Sequence, residues 1–140
     1  MVPAEAARAA SAANRRGERR MQEKILAMAL ALSGADEAEQ PMMEMLCRTA
    51  ETFWKGRLHS GVTAEDCLDS FCCAAALTAA ADLAAGQGGG VSSFTAGAVS
   101  VRGCGGAESV TRANALRMTA ERLMEPYAAV DGFCFKGVRA

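Results

Sequence analysis

The six cysteines are the residues of this sequence best suited to chemistry, since a thiolate can bind a metal, attack a carbonyl or form a disulfide. Their spacing favours none of these uses, because no Cys-x-x-Cys pair is present and His59 is the only histidine. Cys72 and Cys73 are adjacent in a predicted helix, where neighbouring side chains do not face one ion. We therefore predict reduced cysteines buried as small hydrophobic residues, with no metal and no cofactor. The six are Cys47, Cys67, Cys72, Cys73, Cys104 and Cys134.

No other residue type forms a complete catalytic motif. The glycine-rich stretches at 88–90 and 103–106 lack the Gly-Lys-Ser/Thr of a phosphate-binding loop, so we predict flexible hinges there. The serines at 92, 93 and 100 are not in a Gly-x-Ser-x-Gly context. His59 is expected at the end of a helix, where partial positive charge is favourable. We predict that the chain is not an enzyme, with a cysteine nucleophile paired with His59 as an alternative.

Length and charge indicate one domain with an unusual first segment. A chain of 140 residues with a net charge of −1 fits a single domain that is not basic overall. Residues 1–20 are rich in alanine and carry five arginines against two glutamates. We predict that 1–20 form an appendage, either added or due to a mis-assigned start before Met21, and that 21–140 form a single helical domain. Such an arm is a weak indication of contact with nucleic acid or an acidic partner.

A secretory signal is an alternative for the N-terminal part. The basic stretch 15–20 is followed by the apolar run 25–35, which is the order found in signal peptides. Glu23 and Lys24 interrupt that order, and the run also fits a helix that ends at Gly34. No segment reaches the roughly 20 apolar residues of a membrane helix, so we expect a soluble protein.

Apolar spacing predicts an all-α fold, a small bundle of about four helices near 22–32, 41–58, 63–85 and 107–124. An extended, glycine-flanked excursion precedes the last long helix, and an extended C-terminal tail follows it. Thr63 with Asp66 is close to a capping box. The methionines near residue 42 suit either a core or an adaptable binding surface, and we expect a core. The residues expected to face inward are Met42, Met45, Leu46, Ala50, Phe53, Trp54 and Leu58 in the second helix, and Val110, Ala113, Leu116 or Arg117, Ala120, Leu123 and Met124 in the fourth.

From residue 21 onward, the order of several stretches resembles a family of phage head-to-tail connector proteins, or head completion adaptors, encoded by bacterial prophages. The likeness covers nearly all of residues 21–140 and none of the first 20. In this family one segment usually reads Gly-Asp-Val-Ser-Val, whereas this chain has Ala98 in place of the acid. Any cap or salt bridge made by that acid is therefore lost. The stretches that carry the resemblance are MQEKILAMALALSGA, LHSGVTAEDCLDSFCCAAAL, SFTAGAVSV, LRMTAERLMEPY and GFCFKGVRA.

The resemblance implies a structural protein of virion assembly. Such a subunit forms a ring oligomer under the portal protein, contacts tail or stopper proteins, and lets DNA pass without sequence-specific binding or any membrane. It would act in the bacterial host cytoplasm and then in the virion. The excursion and the tail would supply subunit contacts through exposed backbone groups, although Phe94 could instead plug the domain's own helices. The alternative function is a helical interaction or regulatory module. The implied interface residues are Ser93, Phe94, Thr95, Gly97, Val99, Ser100, Val101, Phe133 and Phe135.

Overall fold

Four α-helices and one 3-10 turn form the part of the chain that the computed structural model describes, residues 3–92 and 102–129. The helices are α1 (Pro3–Ser33), α2 (Gln40–Arg57), α3 (Leu68–Ser92) and α4 (Arg102–Met124), and the 3-10 turn Ala64–Cys67 precedes α3. α3 packs against each of the other three helices, and α1 also packs against α2. The predicted small all-α bundle is confirmed.

α3 is the central helix because its surface is apolar on nearly every side. Phe71 and Cys72 are fully buried, together with a series of alanines whose small side chains let the neighbouring helices approach closely. The stretch Ala64–Gly86 has the length and the mean hydropathy, 1.4, of a membrane span, which the sequence analysis did not expect. However, 56% of that window is buried inside the bundle, so its composition is that of a core helix. The buried alanines of α3 are Ala74, Ala75, Ala76, Ala79, Ala80 and Ala81.

α1 begins at Pro3, so the expected helix start near residue 22 is wrong. Alanine and arginine are both strong helix formers, and their intrinsic propensity favours helix without any buried face. Met21, Ile25 and Ala29 are the buried residues of α1. Residues 3–20 therefore extend from the bundle as an arm whose side chains are almost all exposed. The helix ends at Ser33, and Gly34 follows with a φ of 65°, as the sequence predicted.

The capping box expected at Thr63 is present. The Thr63 hydroxyl oxygen accepts a hydrogen bond from the Asp66 amide at 3.3 Å, and an Asp66 carboxylate oxygen accepts one from the Thr63 amide at 2.8 Å. This reciprocal pair opens the 3-10 turn, which then leads into α3. Pro41 lies in the first turn of α2, where its missing amide hydrogen leaves no intrahelical bond unmade.

The glycines expected to act as hinges lie within helices. α3 continues through residues 88–90, and α4 includes the glycines at 103, 105 and 106. The predicted excursion is thereby reduced to residues 93–101, which lie outside the described residues, as does the tail from residue 130. The described chain after α4 pairs with the end of α2 through one antiparallel bridge between Leu58 and Ala128.

Candidate interaction surfaces

α2 carries apolar side chains on two sides. Met43, Cys47, Ala50 and Trp54 face the core and are buried. Met42, Met45 and Phe53 are between 43% and 64% exposed, so the expectation that these three face inward is wrong. Adjacent apolar pairs explain the error, because Met42-Met43 and Phe53-Trp54 each place one member inward and the other outward.

The exposed side of α2 is a continuous uncharged strip. Met42, Met45, Thr49 and Phe53 follow one another at spacings of three and four residues and therefore share one helix face. They span about 16 Å of the helix, at about 1.5 Å per residue. The Thr49 hydroxyl donates to the Met45 carbonyl at 3.0 Å, so its hydrogen is already used within the helix. These four residues are called the α2 face below.

α4 also presents an uncharged outer side. Val110 and Met118 are 50% and 58% exposed, and the inward orientation expected for Val110 is wrong. Ala113, Ala120 and Met124 are buried as predicted. The exposed residues between Val110 and Met118 on the same side are small or polar and carry no charge. The α4 face, as named below, consists of Val110, Thr111, Asn114, Ala115 and Met118.

Three charged residues of α4 contact its neighbours in the bundle. Arg117 forms an ion pair with Asp82 of α3 at 2.8 Å, and Arg112 donates to the Leu32 carbonyl of α1 at 2.8 Å. Glu121 pairs with Arg57 of α2. The five residues of the α4 face are themselves uncharged, and the exposed Arg122, one turn after Met118, borders the face.

Arg57 joins the ends of α2 and α4. Its guanidinium makes a bidentate contact with Glu121, at 2.7 and 2.8 Å, and donates to the Ala129 carbonyl from Nε at 3.0 Å and Nη2 at 2.7 Å. The same group lies 4.4 Å from the Trp54 ring centroid and 5.0 Å from that of Phe53. Arg57 therefore fixes where the chain leaves the bundle after α4, next to one end of the α2 face.

A small cleft lies between α1 and α2. Its volume is about 180 Å³, below the several hundred Å³ typical of pockets for small-molecule ligands. Ile25 and Cys47 form its apolar part, and charged residues of both signs surround it. Glu51 is buried there and pairs with Lys55 at 2.9 Å. The cleft is therefore a gap between helices rather than a formed substrate site.

The described cysteines are placed as small hydrophobic residues. Cys47, Cys67 and Cys72 are buried, Cys73 is partly buried, and all four are free thiols. Burial raises the pKa of each, and the nearby carboxylates of Glu44 and Glu51 add to the effect at Cys47, whose pKa rises to about 11. These thiols are protonated at neutral pH and are poor nucleophiles. Within residues 3–92 and 102–129, no cluster of three or more His, Cys, Asp or Glu side chains could hold a metal.

The interface residues implied by the resemblance cannot be placed. Ser93, Phe94, Thr95, Gly97, Val99, Ser100 and Val101 lie outside the described residues, and so do Phe133 and Phe135. The α4 face was not anticipated as a surface, and for the methionines of α2 a binding surface was considered but a core was preferred. The adjacent apolar pairs of α2 could have revealed its exposed face, because they supply more apolar side chains than one buried stripe requires.

Comparison of this chain with protein-family models, with curated proteins and with solved structures gives no match. The functional argument therefore rests on the surfaces just described and on the resemblance in the sequence.

Proposed function

We propose that this chain is a ring-forming structural subunit of a phage or prophage head-to-tail connector. The observation that carries the proposal is the pair of uncharged faces, one on α2 and one on α4, each containing large apolar side chains at about half exposure. Exposed apolar strips of this kind are typical of protein interaction surfaces. The proposed role requires no catalytic centre, cofactor or metal.

Two different faces are what a ring requires. A closed ring is built from head-to-tail contacts, in which one surface of a subunit meets a different surface of the next. The α2 face is rich in methionine and ends at Phe53, whereas the α4 face combines Val110 and Met118 with small side chains. A large flexible surface opposite a flatter one can pack closely without a charge being buried. We infer that the α2 face of one subunit packs against the α4 face of its neighbour.

The experiment uses two variants, Met45→Lys and Met118→Lys, each of which places a charge in the centre of one face. Light scattering gives the mass of the wild type alone and with the portal protein encoded nearby. The wild type is expected to form a closed oligomer or to be recruited to the portal in an ordered number of copies. Each variant alone is expected to remain monomeric, because burying an unpaired charge strongly disfavours the contact.

Mixing the two variants distinguishes a ring from other assemblies. Each variant retains the face that the other lacks, so an equimolar mixture is expected to give a dimer of twice the monomer mass and no larger species. If the contacts were two-fold symmetric, Met45→Lys would still dimerise through its intact α4 face. The control is Ala38→Lys, which adds the same charge at an exposed position in the α1–α2 connection and should assemble like the wild type.

A wild-type chain that stays monomeric at all concentrations and does not bind the portal would contradict the proposal. The helical interaction module would then be the better explanation of the same two faces. The contributions of Phe94 and Phe133, and action in the host cytoplasm before incorporation into the virion, are parts of the proposal that the resemblance alone supports.

A further inference from the structure

We infer that the N-terminal arm of α1, residues 3–20, binds the phosphate backbone of double-stranded DNA through one arginine-lined side. The arm is continuous helix from Pro3, and its side chains make almost no contact with the bundle. A helix exposed on all sides has no packing role in the monomer. Its exposed side chains are therefore available to a partner outside the bundle.

The arginines of the arm share one side of the helix. At about 100° per residue, the five fall within about 140° of the circumference and along about 18 Å of the axis. All five are exposed. Glu18 lies outside this sector and accepts a hydrogen bond from Asn14 at 3.3 Å, whereas Glu5 lies within it, one turn before Arg8. This basic face consists of Arg8, Arg15, Arg16, Arg19 and Arg20.

Of the basic face, Arg19 also lines the cleft between α1 and α2, and the other four arginines lie outside that cleft. Among the described residues, no ion pair involves any of the five arginines. Arg15 donates to the Ser11 hydroxyl at 2.7 Å, a neutral contact within the same helix. Five exposed guanidinium groups on one side of a helix, in a protein of net charge −1, favour a polyanionic partner. Arginine is well suited to phosphate, which it can bind through two parallel hydrogen bonds.

Duplex DNA fits this face better than a lipid membrane does. A helix that lies in a membrane interface needs bulky apolar residues opposite its basic side. The opposite side of the arm has Ala7, Ala10, Asn14 and Gly17, which bury little apolar area. The width of an α-helix matches the major groove, and arginines over a broad sector can reach phosphates on both of its edges. Because these contacts involve only phosphates, the binding carries no sequence preference.

The test measures binding of the purified full chain to a fluorescent 20-base-pair duplex as a function of salt. Five phosphate contacts predict that log K falls against log salt with a slope of about −4.5, or about 500-fold between 50 and 200 mM. Arg15→Gln with Arg16→Gln should reduce the slope to about −2.7, because two contacts are lost. Glutamine is a good helix former, so the arm should stay helical, which circular dichroism checks.

The matched control is Arg48→Gln with Arg122→Gln, which removes two exposed positive charges from other helices and should leave the slope unchanged. The inference would be overturned if both double variants reduced the salt slope equally. It would also be overturned if the wild type did not bind the duplex at 50 mM salt. Binding to vesicles containing 30% phosphatidylserine but not to DNA would also overturn it. The inference does not depend on ring formation, since DNA binding is measured at concentrations where light scattering shows a monomer. DNA binding by the arm and ring formation can therefore each succeed or fail without the other.

Discussion

The contact between Arg57 and Glu121 is the best place to test how the end of α4 is held. Three variants form a double-mutant cycle: Arg57→Ala, Glu121→Gln and the combination of the two. The Arg57 side chain is only 12% exposed and makes both hydrogen bonds of a bidentate carboxylate contact. Removing it also removes the contact with the Trp54 ring and both hydrogen bonds to the Ala129 carbonyl.

The expected losses follow from these contacts. We expect Arg57→Ala to lower the free energy of unfolding by about 3 kcal/mol, since charge-assisted hydrogen bonds contribute about 1.5–3 and a cation–π contact about 1. Glu121→Gln should cost about 1.5 kcal/mol, because the arginine keeps its ring and carbonyl contacts. The coupling energy of the pair should be about 1 kcal/mol, since Glu121 is partly exposed and water screens the interaction.

Urea unfolding followed by Trp54 fluorescence measures these changes, since Trp54 is the only tryptophan and is buried. The ion pair of Lys24 with Asp69 is the internal comparison. Its Nζ–Oδ1 distance is 2.6 Å, but the Asp69 side chain is 93% exposed, so the coupling should be below about 0.5 kcal/mol. If the coupling between Arg57 and Glu121 were no larger than this, the argument that Arg57 anchors the chain after α4 would fail.

Two further predictions concern ionisable groups. In a variant without Cys104 and Cys134, the buried thiols of Cys47, Cys67 and Cys72 should react with a disulfide reagent only as fast as the protein unfolds, and the partly buried Cys73 should react faster. At pH 7 only about one Cys47 in 10,000 is a thiolate, so fast reaction of Cys47 in the folded state would contradict its buried placement. The hydrogen bonds from the Thr63 amide and side chain lower the pKa of Asp66, so this carboxylate favours the folded state above its unfolded pKa and loses that effect as pH falls through the folded value. Thr63→Ala should raise the Asp66 pKa in an NMR titration while the amide contact keeps part of the shift, and an unchanged pKa would show that the hydroxyl has no part in it.

The elements with strong local signals could be predicted from the sequence. The end of α1 at Gly34 needs a left-handed residue, and the capping box at Thr63 is a contact between residues three apart, so both depend on neighbours in the chain. The start of α1 was not predicted, because the arm has no apolar stripe and its helix rests on propensity alone. The glycines at 88–90 were expected to interrupt structure but are accommodated in α3.

The direction of the side chains was harder to predict than the helices themselves. In α2, shifting the chosen stripe by one residue exchanges Met42 for Met43 and Phe53 for Trp54, and the sequence pattern fits both choices. Packing decides between them, since the Trp54 indole nitrogen donates to Thr78 of α3 at 2.9 Å while Phe53 stays outside. Such a contact joins residues 24 positions apart and leaves no trace in local spacing.

α4 shows what the proposed subunit contact would require of the surface around its uncharged face. Arg117 and Glu121 lie at the edge of this face, 43% and 38% exposed, and make ion pairs with Asp82 and Arg57. Val110 and Met118 would add apolar burial if they faced α3, yet they are exposed. Under the proposal, a second surface that covers the α4 face would remove these apolar side chains from water, while Arg117 and Glu121 beside the face already have partners within the protein.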